Sequence, residues 1–173
     1  MRCIADTAPR PVSASLPPNP PPVTLRAFRP SDVPFVSGIV AEALHEHYEP
    51  SLYQSLSVEW NDGFLVASDP HDVPIGFLLG VTQVDREARV LMFAVERNHR
   101  TLGVGTLLMD AFLARCRVRG FRRVTLEVRV SNATAIRFYT RYRFSVTDLL
   151  RSYYSDGENG YQMALDLVAP AAG

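Results

Sequence analysis

The sequence predicts a mixed α/β domain of about seven strands and four helices, and three observations predict it. Short strand-like runs recur from Val23 onward, punctuated by Asp, Asn, Gly and Pro turns. Just after Gly105 the apolar period changes from two to 3.6, the mark of an amphipathic helix. Ahead of Val23 the composition is different, with seven of the 13 prolines lying there among Ser, Ala and Thr.

Residues 1–22 therefore read as an extended or disordered tail, having few large apolar groups to bury and few free backbone donors. A solvated tail and a proline-motif docking segment are its two readings. The domain follows over residues 23–168, with 169–173 as a short C-terminal tail. Val23-Thr24-Leu25-Arg26-Ala27-Phe28-Arg29 alternates apolar and polar side chains, as a half-buried strand does. Pro30-Ser31-Asp32 offers a helix start with Ser31 as cap, and the helix runs to about Leu44. Pro50 opens a second short helix ending near Trp60, and Asn61-Asp62-Gly63 is a turn. Residues 64–68, 75–82 and 90–95 are strand-like, and the turns Asp69-Pro70-His71-Asp72 and Asp85-Arg86-Glu87 make them an antiparallel meander. Val104, Leu107, Leu108, Ala111 and Phe112 give one apolar helical face, which Cys116 extends as a core thiol and Gly120 stops. Residues 124–130 form a strand, 132–141 a short helix, and 144–150 and 161–167 two closing strands.

Composition narrows the function classes. Of 173 residues, 47% are apolar and 21% charged, which suits one globular domain able to bury about 70% of its unfolded-chain surface without staples. Cys3 and Cys116 lie far apart and form no CxxC pair, so neither a disulfide framework nor a cysteine zinc site is indicated, and a reducing cytoplasm is expected. No apolar run approaches the roughly 20 residues that span a bilayer, and the first 22 residues lack the apolar segment of a signal peptide. The 18 basic and 18 acidic side chains cancel, leaving no overall field to attract nucleic acid.

Arg100-Thr101-Leu102-Gly103-Val104-Gly105-Thr106 lies between a strand and a helix. Glycines permit positive φ and close backbone approach. Amides at a helix N-terminus point outward with the positive end of the dipole, so the loop is either a structural turn or an anion seat for a diphosphate, with Arg100 at the rim and Thr106 supplying a hydroxyl. GxxxxGK[ST] is absent, and GxGxxG fails at Leu108. His45-Glu46-His47 suggests no zinc site, because HExxH would require histidine where Glu49 stands. His71 and His99 read as isolated and solvated.

The order of strand Leu91-Met92-Phe93-Ala94-Val95, this loop, a helix, a strand and then Asn132-Ala133-Thr134-Ala135-Ile136-Arg137-Phe138-Tyr139 resembles the GNAT acetyltransferase superfamily. Leu126-Glu127-Val128-Arg129-Val130-Ser131-Asn132 and Tyr153-Tyr154-Ser155-Asp156-Gly157-Glu158 are similar to the protein N-terminal acetyltransferases, both the archaeal NatA-catalytic-subunit type and the ribosomal-protein alanine N-acetyltransferases. The resemblance implies a GNAT-like fold with a mostly antiparallel sheet. It also implies acetyl-CoA as cosubstrate, no metal, and direct transfer of acetyl to the α-amine of a protein or peptide N-terminus. Nascent chains or a ribosomal protein are possible acceptors, and a monomer or weak homodimer is expected.

In such a reaction the amine must be neutral, the developing oxyanion stabilised and the leaving thiolate protonated. Deprotonating a lysine near neutral pH costs about 3 kcal/mol more than deprotonating an α-amine. Glu127 matches the family's general base acting through water, its alternative being a surface carboxylate paired with Arg129. Tyr139 matches the general acid, its alternative being core packing. Asn132 matches a residue bonding the CoA arm, or is a bare helix cap. The backbone of Phe93, Ala94 and Val95 would hold the pantetheine and acetyl carbonyl. Glu46 and Tyr48 correspond to one wall of the acceptor site, and Tyr153 and Tyr154 to the other. Arg115, Arg117, Arg119, Arg122 and Arg123 read as a solvent face with some attraction for CoA phosphates, or as an RNA contact.

Three departures stand out. Arg89 replaces the histidine of archaeal relatives, which removes one candidate base, and Met92 replaces a serine. Arg143 stands where a glycine is usual, which opens the turn there to change. A GNAT enzyme acting on a small amine or lysine side chain, and a non-catalytic acyl-CoA-binding module, are the competing functions.

Overall fold

Residues 22–44 and 47–167 are described by the computed structural model. Most of the expected N-terminal tail, Glu46 and the segment from 168 onward therefore lie outside the described residues. Strand β1 (Thr24–Ala27) leads through a 3-10 turn at Pro30–Asp32 into α1 (Val33–Leu44). Ser31 is not the cap that the sequence suggests. The Asp32 carboxylate accepts the Arg29 N–H at 2.8 Å and is held by the Arg26 guanidinium at 2.7 and 2.9 Å, because a charged acceptor outcompetes a hydroxyl for these donors.

The chain continues through α2 (Pro50–Glu59), β2 (Phe64–Ser68), β3 (Pro74–Gln83), β4 (Glu87–Val95), α3 (Val104–Val118), β5 (Arg123–Arg129), α4 (Ala133–Arg141), β6 (Ser145–Leu150) and β7 (Gly160–Asp166). Every expected strand and helix is present among the described residues. The main difference is β4, which begins three residues before the expected start because Glu87 pairs with Gln83 across the hairpin. Among the described residues the seven strands form one sheet in the order β1-β2-β3-β4-β5-β7-β6, antiparallel except for β4 against β5. The meander of β2, β3 and β4 is as expected.

Apolar layers cover both faces of the sheet. On one face α3 presents Val104, Leu108, Met109, Phe112, Leu113 and Cys116, with Tyr139 of α4 in the same layer. Truncating a buried ring such as Phe112 to alanine costs about 3–5 kcal/mol. The opposite layer gathers Val36, Ile39 and Val40 of α1 and Tyr53 of α2 around Phe64, Phe77 and Leu79.

Strand β4 changes sides between these layers. Leu79 pairs with Met92 but Gly80 pairs with Val90, so Leu91 is an extra residue forming a bulge. Ala88 and Val90 consequently face α3, whereas Met92 and Ala94 face α1 and α2. The bulge turns Phe93 and Val95 toward α3 and leaves Arg89 on the α1 side.

Candidate active site

The loop from β4 to α3 is a cradle of amides. Gly103 is the helix N-cap at φ +85°, a conformation that glycine adopts without a Cβ penalty, and no side chain caps the helix. The first helical bond runs from Leu107 N–H to the Gly103 carbonyl at 3.0 Å, so the amides at the start of α3 take no partner from the helix. Thr101 is also left-handed, at φ +66°, which for a β-branched residue costs of order 1–3 kcal/mol. Arg100 folds back, its Nε donating to the Val95 carbonyl at 2.9 Å, and Gly105 packs beside the Phe93 ring. Leu102 is exposed, Val104 is buried, and the Thr106 carbonyl accepts the Tyr142 hydroxyl at 3.3 Å. This open, uncapped helix end suits a diphosphate.

Beside the cradle the sheet opens. Parallel pairing of β4 with β5 covers Glu87 to Val90 against Arg123 to Leu126 and then stops. Phe93, Ala94 and Val95 remain paired with β3 on one edge while their other edge has lost β5. Glu127 is the first residue of β5 past that point. Val124, Leu126 and Val128 pack toward α3, so Glu127 points to the other face.

Glu127 does not pair with Arg129. Its Oε2 accepts Arg89 Nε at 2.8 Å and lies 2.7 Å from Nη2, which also donates to the Tyr153 hydroxyl at 2.9 Å. Burial opposes the charge of Arg89, but Glu127 and Tyr153 outweigh it and hold the guanidinium more firmly protonated than usual. Arg129 turns outward instead, to Asp156 and Glu158 at 2.8 Å each, with its guanidinium carbon 4.0 Å from the centroid of the Tyr154 ring. Bonds from Ser131 and Arg129 hold the Glu158 carboxyl down at about 2.

Tyr139 approaches from the opposite side of the sheet. Its ring sits 5.8 Å from Phe144, 5.6 Å from Phe138 and 6.4 Å from Phe93, so it does pack in the core. Burial, with a smaller contribution from Tyr154, pushes its phenol well above the ordinary range. Among the described residues no group hydrogen-bonds its hydroxyl. Tyr154, itself pushed up to about 12 mainly by burial, feels the charge of Glu127 and lies edge-on to Tyr153. Both tyrosines close over Gly160, where an added Cβ would meet each ring at 3.3 Å.

The structure thus brings Glu127, Tyr153 and Tyr154 together, with Tyr139 entering from the α3 face. Asn132 caps α4, its Oδ1 accepting the Ala135 N–H at 3.0 Å, which leaves the amide NH2 to reach a ligand. Tyr48 is exposed in the α1–α2 connection. His99 is not isolated, since its ring contacts the Glu96 carboxylate. The basic cluster is partly structural: Arg119 lies over Trp60, Arg115 donates to the Asp62 carbonyl, and Arg123 stands near Glu87 and Asp166. Among the described residues no group of three or more His, Cys, Asp or Glu could hold a metal. Sequence reasoning missed the grip of Arg89 on Glu127, the Arg129 clamp and the role of Gly160. The Arg89 pair joins residues 38 apart whose neighbourhood exists only once β4 and β5 pair.

The family model for the acetyltransferase (GNAT) family matches residues 30–144, and the chain belongs to that family; it is an N-acetyltransferase. An N-alpha-acetyltransferase of Sulfurisphaera tokodaii is 33% identical over 155 residues, 83% of this chain and 92% of that protein. The crystal structure of Ard1 from Thermoplasma volcanium superposes with a TM-score of 0.81 at 41% identity, covering 85% of this chain and 99% of that one. Naa20 of Chaetomium thermophilum, solved with a bisubstrate analogue, has a TM-score of 0.76 at 27% identity, covering 83% of this chain and 86% of that one.

Proposed function

We propose that the chain transfers acetyl from acetyl-CoA to the α-amine at the N-terminus of a peptide or protein, with Glu127 as general base through water and Tyr139 as general acid. The carrying observation is the gap between β4 and β5, which Glu127 borders from one face of the sheet while Tyr139 stands at the other beside Phe93. The N-alpha-acetyltransferase of Sulfurisphaera tokodaii supports the choice of acceptor, and the analogue-bound Naa20 supports the choice of donor.

The uncapped amides of 103–106 would bind the diphosphate, and the free edge of Phe93, Ala94 and Val95 would hold the pantetheine and the acetyl oxygen. Acetyl-CoA supplies an activated thioester. Glu127 takes a proton from the attacking amine through water, a modest task because an α-amine titrates near 8. Tyr139, kept protonated by burial, gives its proton to the departing sulfur; the transfer is uphill, so positioning by Phe93, Phe138 and Phe144 must compensate. Tyr153, Tyr154 and Tyr48 would flank the acceptor backbone.

A direct test offers the enzyme acetyl-CoA with a free N-terminal peptide, the same peptide blocked at its N-terminus but carrying an internal lysine, and spermidine. Mass spectrometry should find acetyl only on the free α-amine. Acetylation confined to lysine or spermidine defeats the proposal.

A further inference from the structure

We infer that Arg89 is the positioning residue for Glu127, a role that rests on reading Glu127 as the base. Arg89 lies in register with Thr125 across the last paired rungs of β4 and β5, which places its guanidinium beside the first side chain past the opening. Nε and Nη2 both engage Oε2 of Glu127, at 2.8 and 2.7 Å. Among the described residues no group bonds Oε1, so the carboxylate is pinned through one oxygen and free at the other.

The pair is largely covered, with side-chain exposures of 27% for Arg89 and 11% for Glu127. A covered carboxylate without a partner would be driven to protonate or to turn toward solvent, and either change would disable it as a base. Arginine suits this task because it keeps its proton and presents a rigid fork, whereas lysine is a mobile point charge. Arg89 therefore cannot be a second base; it fixes the first. Nη2 also donates to Tyr153, so one guanidinium ties β4, β5 and the β6–β7 loop into a single unit at the acceptor side.

The experiment first confirms that the wild-type enzyme acetylates a free N-terminal peptide. Failure at this step overturns the functional reading and, with it, the premise about Glu127. With activity in hand, Arg89→Ala should lower kcat about 100-fold, as expected for a misplaced catalytic group, with the acetyl-CoA Kd within about twofold of wild type. Arg89→Lys should recover part of the loss. In a Glu127→Gln background, Arg89→Ala should add nothing further, since there is no base left to position. A kcat within about twofold of wild type, or losses that multiply in the double variant, overturns the inference while leaving the acetyltransferase reading intact. If Arg89→Ala does not fold, Arg89→Lys alone and combined with Glu127→Gln makes the same comparison, with the same outcomes deciding it.

Discussion

Arg129 at the end of β5 holds Glu158 at 2.8 Å, and this pair anchors the loop that carries Tyr153 and Tyr154. The same guanidinium stacks on Tyr154 and bonds Asp156, while the Ser131 amide donates to Glu158 at 3.0 Å. Half-buried pairs at the surface such as this one add little global stability. Their effect is local order. Arg129→Ala should therefore raise KM for a peptide several-fold with Tm close to wild type. An unchanged KM would show that the loop needs no clamp.

Acid should release that loop. Because the Glu158 carboxyl is lowered from 4.5 to about 2, its contribution to loop order is complete above its unfolded value and disappears as pH falls toward about 2. Tyrosine resonances of residues 153 and 154 should keep their native shifts down to about pH 4 and lose them below it. Loss of order near pH 6 would contradict the assignment.

The end of α4 is strained where it need not be. Phe144 N–H bonds the Tyr139 carbonyl at 3.1 Å and Arg143 N–H bonds Thr140 at 2.9 Å, a two-bond helix ending that puts Arg143 at φ +68°. The turn keeps the glycine conformation despite lacking the glycine. Arg143→Gly should stabilise the protein by about 1 kcal/mol, raising Tm by about 2–4 °C. A lower Tm would show that the arginine makes compensating contacts.

Alkali should unfold the domain through its core. Burial pushes the Cys116 thiol up to about 12 from 9.0, so its stabilising effect is whole below pH 9 and is lost as pH climbs toward about 12. Cys116 alone should cost about 2 kcal/mol between pH 9 and 11, at about 1.4 kcal/mol per pH unit once the unfolded thiol has titrated. The Tyr139 and Tyr154 phenols, both raised by burial, add to the slope above pH 10. Cys116→Ala should lower the slope between pH 9 and 10, where the phenols of the unfolded chain are still largely protonated. A slope unaffected by Cys116→Ala would assign it elsewhere.

Tyr139→Phe should reduce kcat by about 100-fold with little change in peptide KM, since the ring still fills its place against Phe138 and Phe144. The phenol is raised by burial, so it stays protonated and the wild-type rate should show no alkaline decline below pH 10. A decline near pH 8 that vanishes in Tyr139→Phe would contradict this.

Much of the fold was legible because its signals are local. Period and turn residues placed every element within a few residues, and the 3.6 period of Val104, Leu108 and Phe112 appears as the buried face of α3. Strand order was not legible. Nothing in residues 160–166 says that β7 inserts between β5 and β6, since that pairing joins segments far apart in sequence. In the site, the motifs single out Glu127 and Tyr139 as candidates, and Arg129 enters only as the partner of Glu127 under the alternative reading, from proximity along the strand. Alternation puts Arg129 on the same face as Glu127, yet it is drawn to Asp156 and Glu158 on the returning hairpin, and Arg89 takes its place from the neighbouring strand.

Calorimetric titration with coenzyme A tests most directly whether the uncapped start of α3 is the nucleotide seat. Wild-type protein should bind one equivalent. Gly103→Val, which forces a branched side chain into φ +85° with no neighbour within 4 Å to clash, should stay folded and bind at least about tenfold more weakly. No binding by the wild type, or equal binding by a folded Gly103→Val variant, would contradict the account.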